Sequence, residues 1–200
     1  MEKVKSILML AAVAAIAVSS HANYIANGDF ANGTDNWPER GNWGGATLTF
    51  DNGELYMDTN AENLENTEDY GANARSDRFS VYQGMQLDYS IDYATWISST
   101  PQTEGYLFRL QFYDEQENWI GDTVLEEITD HTGFSWNTLT GQTTVGLENA
   151  ALAAVELSNG TYNNFNGAVK VDNVSIVPEP ASLSLLGLGA AAMMRKRRSA

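Results

Sequence analysis

Six side chains in the middle of the chain carry the functional groups that a neutral sugar needs: Asp92 with Trp96, Arg109 with Gln111 and Tyr113, and Trp119. Aromatic planes stack on the C–H faces of sugar rings, while carboxylates, amides and guanidinium groups take the hydroxyls. Asp92 and Trp96 share the polar phase of an alternating run over 85–97. Arg109, Gln111 and Tyr113 share the polar phase of a second run that starts at Gly105. If those two runs pair as neighbouring strands, all five groups fall on one face. Otherwise Trp96 packs under a nearby loop and Arg109 pairs with an acid. Trp119 lies in Glu117-Asn118-Trp119-Ile120-Gly121 and is expected at an exposed hairpin end. Trp37 and Trp136 are expected in the core, and the residues around Trp43 and Tyr70 do not place those two rings.

Catalytic chemistry has little to draw on. The chain has no cysteine, and between residues 23 and 177 its one imidazole is His131, in a Thr- and Gly-rich stretch. A Ser-His-Asp arrangement would have to run through that residue, and a zinc site would have one imidazole and no thiolate. Carboxylates are plentiful, but a glycosidase needs two held about 5–10 Å apart across a cleft. Glu126-Glu127, Asp114-Glu115 and Asp88 with Asp92 read more simply as solvated acids on strands and turns. No catalytic residue is assigned, and the chain is read as a non-enzyme.

The elements that must position these groups are strands. No helical period persists between 23 and 177, whereas two-residue alternation recurs between clusters of Gly, Asn, Asp and Ser. Leu48 and Phe50 are followed by Asp51-Asn52-Gly53 and then Leu55 and Met57, a hairpin signature. Met85, Leu87, Tyr89, Ile91, Tyr93 and Ile97 take one face of the next run, and Tyr106, Phe108, Leu110 and Phe112 one face of the run after it. Further strands are expected at 136–146, with Leu139 and Val145 inward, and at 151–158, where the alanines also allow a short helix. In the last run Val169 and Val171 share a face, and Val174 and Ile176 share one after a slip at Asp172-Asn173, as a β-bulge would produce. The stretch from 59 to 76 is expected to be the longest loop. Eight or nine short strands of this kind predict one antiparallel β-sandwich or jelly roll.

Both ends read as addresses. Lys3 and Lys5 precede an apolar run from Ile7 to Val18, and Ser20-His21-Ala22 offers small residues for signal peptidase, so residues 1–22 are expected to be a secretory signal. At the other end Val177-Pro178-Glu179-Pro180 leads into an apolar segment from Ala181 to Met194 and then Arg195-Lys196-Arg197-Arg198. As a helix that segment would rise about 21 Å, short of the roughly 30 Å hydrocarbon core, so it would insert in a membrane transiently, with its bases on the cytoplasmic side. Pro-Glu-Pro, a short apolar segment and a terminal basic cluster resemble the PEP-CTERM sorting signal of bacterial surface proteins. The resemblance implies recognition around Pro178, Glu179 and Pro180 by an exosortase-type membrane peptidase, and delivery to the surface or extracellular matrix of a Gram-negative-type bacterium.

The formal net charge of the chain is −15, and residues 23–177 hold 24 acids against five bases, Arg40, Arg75, Arg78, Arg109 and Lys170. Such a body repels nucleic acid and anionic lipid, and suits neutral sugars or cations. Asn27-Gly28-Asp29-Phe30 followed by Trp37, Trp136-Asn137-Thr138, and Val169-Lys170-Val171-Asp172-Asn173-Val174-Ser175-Ile176 together resemble the galactose-binding-like jelly roll of family 4/9-type carbohydrate-binding modules. That resemblance implies two antiparallel sheets, a sugar site, and a structural calcium ion near the join of the first and last strands. The matching positions for calcium are Asp29 and Asp172, which would equally serve as a turn cap and a loop hydrogen-bond acceptor. The expected function is binding to, or embedding in, extracellular polysaccharide. The alternatives are a structural or adhesive matrix protein without a sugar site and a small polysaccharide-degrading enzyme.

Overall fold

Alternation with a period of two lets a strand bury one face, and eleven strands form in a computed structural model that describes residues 22–59, 70–97, 105–160 and 166–179. They are β1 (Glu39–Trp43), β2 (Thr47–Asp51), β3 (Glu54–Asp58), β4 (Gly71–Arg75), β5 (Phe79–Ser80), β6 (Gln86–Ile97), β7 (Tyr106–Tyr113), β8 (Trp119–Ile128), β9 (Asn137–Thr144), β10 (Leu152–Gly160) and β11 (Gly167–Pro178). Sheet A runs β1-β4-β10-β7-β8, with β5 also on β10, and sheet B runs β2-β3-β11-β6-β9. The two antiparallel sheets form a sandwich, and Asn23–Val177 is one compact unit. The signal segment expected at 1–22 and the tail residues Pro180, Arg195, Lys196, Arg197 and Arg198 lie outside the described residues, apart from Ala22. Among the described residues no helix is long and apolar enough to cross a membrane.

The core is filled from both sheets. Leu87 and Ile91 of β6 and Val169, Val171, Val174 and Ile176 of β11 meet Phe108 and Leu110 of β7 and Val155 and Leu157 of β10. The hairpin at 51–53 forms with Asn52 at φ 54° and Gly53 at φ 77°, the two left-handed residues of a type I′ turn. The slip in β11 falls where the sequence puts it: Asn173 has φ 50°, and all four valine and isoleucine side chains around it stay buried.

Several expectations are corrected. β6 and β7 do not pair; they lie in opposite sheets and face each other across the core, where the Tyr89 and Phe108 rings meet edge to face at 5.7 Å. Each has a continuous apolar face, and stacking the strands face to face buries both faces against each other. The 59–76 stretch is not all loop, because β4 occupies 71–75. Gly-Ala-Asn-Ala-Arg has no β-branched or aromatic residue to announce a strand, but it is hydrogen-bonded on both sides, to β1 and to β10. The alanine-rich segment expected as a strand at 151–158 is one, β10, and not the short helix its alanines also allow. Trp119 opens strand β8 at the end of the β7–β8 hairpin and is exposed there. Trp37 is fully buried as expected, but Trp136 is 45% exposed: it precedes the edge strand β9, whose outer side has no neighbouring strand to cover it.

The N-terminal segment closes the sandwich against the second half of β11. Tyr24 N donates to Ile176 O at 2.8 Å, Val174 N to Gly28 O at 2.9 Å, and the Asn23 side chain accepts from Ile176 N at 2.9 Å. Gly28 passes so close that a Cβ there would stand 2.0 Å from the Val174 carbonyl oxygen. Gly28→Ala is therefore expected to destabilise the domain by about 2–3 kcal/mol, read as a lower denaturation midpoint in urea. Gly146→Ala, where a Cβ meets nothing within 4 Å, should leave the midpoint unchanged.

Candidate functional site

Because Phe108, Leu110 and Phe112 point into the core, Arg109, Gln111 and Tyr113 stand on the outer face of sheet A. The same alternation turns Ala154, Glu156 and Ser158 of β10 outward, together with Gly71, Asn73 and Arg75 of β4. Strand register then aligns Glu39, Arg75, Glu156 and Arg109 in one row across β1, β4, β10 and β7, with charges alternating in sign.

Glu156 is the centre of that row and is 2% exposed. Its Oε2 accepts from Arg75 Nε at 3.0 Å and from Gln111 Nε2 at 2.6 Å, and its Oε1 accepts from Arg109 Nε at 3.0 Å; Nη2 of each arginine adds a second bond. Burial works against the charge on Arg75, but the hydrogen bond and the charge of Glu156 outweigh it and leave the guanidinium pKa above its ordinary value. Arg75 also pairs with Glu39, and Arg109 lies 3.5 Å from Asp122. Arg78 sits over the Tyr113 ring at 4.0 Å, bonds Glu117 at 2.7 Å and lies 3.6 Å from Glu39. Three of the five bases between 23 and 177 thus gather on one face, where they hold carboxylate and amide groups in fixed positions.

Aromatic rings flank this network. At one corner Trp43 lies against Gly71, where a Cβ would come within 2.4 Å of Cζ2. At the opposite corner Trp119, 59% exposed, is paired with Tyr113. Strand spacing and rise put the two corners on the order of 30 Å apart. Between them Gly41, Asn73, Ser158 and Ala154 keep the floor low. The face therefore offers stacking surfaces at its ends and fixed donors and acceptors between them.

Of the six residues expected to form one site, Arg109, Gln111, Tyr113 and Trp119 share this face, whereas Asp92 and Trp96 lie on the outer face of sheet B. There Asp92 accepts from Thr138 Oγ1 at 2.6 Å and Asn173 Nδ2 at 2.9 Å, and Trp96 meets His131 edge-on at 6.5 Å. Sequence reasoning missed Trp43, Arg75, Arg78 and Glu156. One signal was available: Glu156 interrupts the apolar run Ala150–Leu157 at a position whose alternation keeps it out of the core.

Asp29 and Asp172 flank the junction between the N-terminal segment and β11. Burial raises the Asp172 pKa; the Asn173 amide bonded to it works the other way, and the charges of Asp92, Asp29 and Glu54 raise it further. Asp29 Oδ1 accepts from Ala31 N at 3.3 Å. The carboxylates suit a hard divalent cation in kind but fall short in number: calcium takes six to eight oxygens, and among the described residues no group of three or more acidic or imidazole side chains is placed to hold a metal.

The ion network yields a stability test. Glu156→Gln leaves two guanidinium groups facing each other with no anion between them, and should lower the unfolding free energy by about 3 kcal/mol, measured by urea denaturation. Glu39→Gln removes a half-exposed partner and should cost less than about 1 kcal/mol.

Residues 177–198 match the PEP-CTERM protein-sorting motif. No curated protein matches the chain by sequence. Among solved structures the chain is similar to the enzymatically active domain of tailspike protein 4 of bacteriophage CBA120, at 16% identity and TM-score 0.52 over 78% of this chain, and it spans 21% of that one. It is similar to a family 16 carbohydrate-binding module at 14% identity and TM-score 0.49, and to a CBM4 structure at 18% and 0.44, each over 78% of this chain and 99% of the other. At 16% identity the likeness to the tailspike domain is one of fold. The chain is a two-sheet antiparallel β-sandwich that carries a PEP-CTERM protein-sorting motif, and by that motif it is an exported protein and an exosortase substrate.

Proposed function

We propose that the protein is a non-catalytic module that binds neutral extracellular polysaccharide through the outer face of sheet A, at the surface or in the matrix of a Gram-negative-type cell. Signal peptidase would remove its leader, and exosortase its tail after transient insertion in the inner membrane. The observation that carries this reading is the Glu156 network between Trp43 and Trp119: it presents both donors and acceptors, already oriented, beside aromatic planes. A polyol uses both kinds of group, and no free positive charge is left to select an anion. Trp43→Ala and Trp119→Ala are each expected to weaken binding at least about tenfold on a glycan array or by calorimetry. Association that needs calcium and gives no glycan signal would favour a structural matrix protein instead, and turnover of a polysaccharide would favour an enzyme.

A calcium ion shared by Asp29 and Asp172, with loop carbonyls making up the oxygens that the carboxylates lack, is the lesser part of the proposal; burial raises the Asp172 pKa, and the charges of Asp92, Asp29 and Glu54 raise it further. An acid whose folded-state pKa is raised stabilises the fold fully below its ordinary value of 3.8, and that contribution is lost as pH rises through the higher folded value. In calcium-free buffer Asp172→Asn should therefore unfold at a higher temperature than the parent near pH 7, and the difference should vanish below about pH 4. Added calcium should raise the parent's midpoint and leave that of the variant unchanged.

A further inference from the structure

We propose that the outer face of sheet B carries a second, separate site for neutral glycan, so that one molecule grips two polysaccharide strands and cross-links them. The proposal rests on the reading of the first face and extends it. Its centre is Trp96 on β6, with Phe134 and Trp136 on the segment that leads into β9. Phe134 is 38% exposed and Trp136 45% exposed. They are not loose: Thr95 N donates to Thr132 Oγ1 at 2.9 Å, Thr132 N to Thr95 Oγ1 at 3.2 Å and Phe134 N to Thr95 O at 3.1 Å, and Thr95 Oγ1 also donates to Asp130 O.

That clamp holds Phe134 at φ 61°, a backbone state that a bulky side chain adopts at a cost. Phe30 has a similar φ of 49°, but its ring is buried and packs on Trp37 at 5.0 Å, so burial offsets the strain. Phe134 keeps the strain while remaining 38% exposed. A strained, clamped aromatic residue beside a second exposed ring is a surface prepared for a ligand. Asp92, fixed by Thr138 and Asn173, supplies an oriented acceptor on the same face. Asp92 and Asp172 together repel an anionic ligand and leave a neutral, hydroxyl-rich one. Sheets in a sandwich stack about 10 Å apart with their outer faces turned away from each other, so a chain bound on sheet A does not reach this patch.

The test titrates the protein with cellohexaose, xylohexaose and mannohexaose by calorimetry and follows cross-linking of the parent polysaccharides by turbidity. It compares the parent with Trp43→Ala/Trp119→Ala and with Trp96→Ala/Trp136→Ala. Two hexasaccharides should bind per parent molecule and one per molecule of either double variant, and both variants should lose cross-linking at least tenfold. Phe134→Gly guards against misfolding: it should hold or raise the denaturation midpoint while weakening the sheet B site at least fivefold. One hexasaccharide per parent, with affinity unchanged in Trp96→Ala/Trp136→Ala, overturns this inference and leaves the first site standing. Binding lost only in Trp96→Ala/Trp136→Ala overturns the first site and keeps this one. Sugar-independent dimers in the ultracentrifuge that Trp96→Ala/Trp136→Ala abolishes would assign the patch to a second copy and overturn the proposal. No response to any of the sugars overturns both sites.

Discussion

Sheet B is completed by its last strand. β11 lies between β3 and β6, so the β2–β3 and β6–β9 pairs are not joined into one sheet until Gly167–Pro178 is in place. β3 covers only the first half of β11, from Ala168 to Val171. Past the bulge at Asn173 the N-terminal segment takes over, with Asn23, Tyr24 and Gly28 bonding to Val174 and Ile176. The bulge makes this change of partner possible, because it turns the strand and lets Val174 and Ile176 remain in the core after the slip. The fold therefore depends on both ends of the domain being present together, and the sorting motif begins at residue 177, at the close of the same strand.

The outer face of sheet A shows how a strongly acidic chain spends its few bases. A carboxylate as buried as that of Glu156 is tolerated only when opposite charges and hydrogen bonds compensate for its lost hydration. Arg75, Arg109 and Gln111 do so, and the two arginines are ordered in return. Arg78 completes the arrangement by covering Tyr113 and reaching Glu117. The result is a rigid polar surface rather than a mobile one, which lowers the entropy lost when a ligand binds.

The opposite face works differently. Its polar groups bond in separate pairs, such as Thr138 with Asp92, Gln142 with Asp88 and Lys170 with Glu54, and its rings are held by a loop whose conformation is set by the reciprocal Thr95–Thr132 bonds. Across the core, Tyr89 joins the two sheets: its hydroxyl donates to Glu126 at 2.7 Å, and burial together with that carboxylate pushes its pKa up to about 12. The phenol passes beneath Gly141, where a Cβ would stand 2.3 Å from its oxygen. The two outer faces are thus carried by one stiff body.

Alternation, turn chemistry and the C-terminal sorting motif were local, and the sequence alone determined them. The phase of β6 and β7, the Asn52-Gly53 turn and the slip at Asp172-Asn173 each depend on neighbours within a few residues, so they could be read directly. Arg109, Gln111, Tyr113 and Trp119 were placed outward for the same reason. Which strands would share a sheet was not local. Asp92 and Trp96 were separated from Arg109 because burying two apolar faces against each other outweighs pairing two consecutive strands edge to edge. Arg75 and Arg78 gained their role only when β4, a segment with no strand-forming residue of its own, was drawn between β1 and β10. Period-two burial fixes which way a side chain points; only the packed sandwich decides which side chains it meets, because that depends on long-range pairing whose energy no short segment contains.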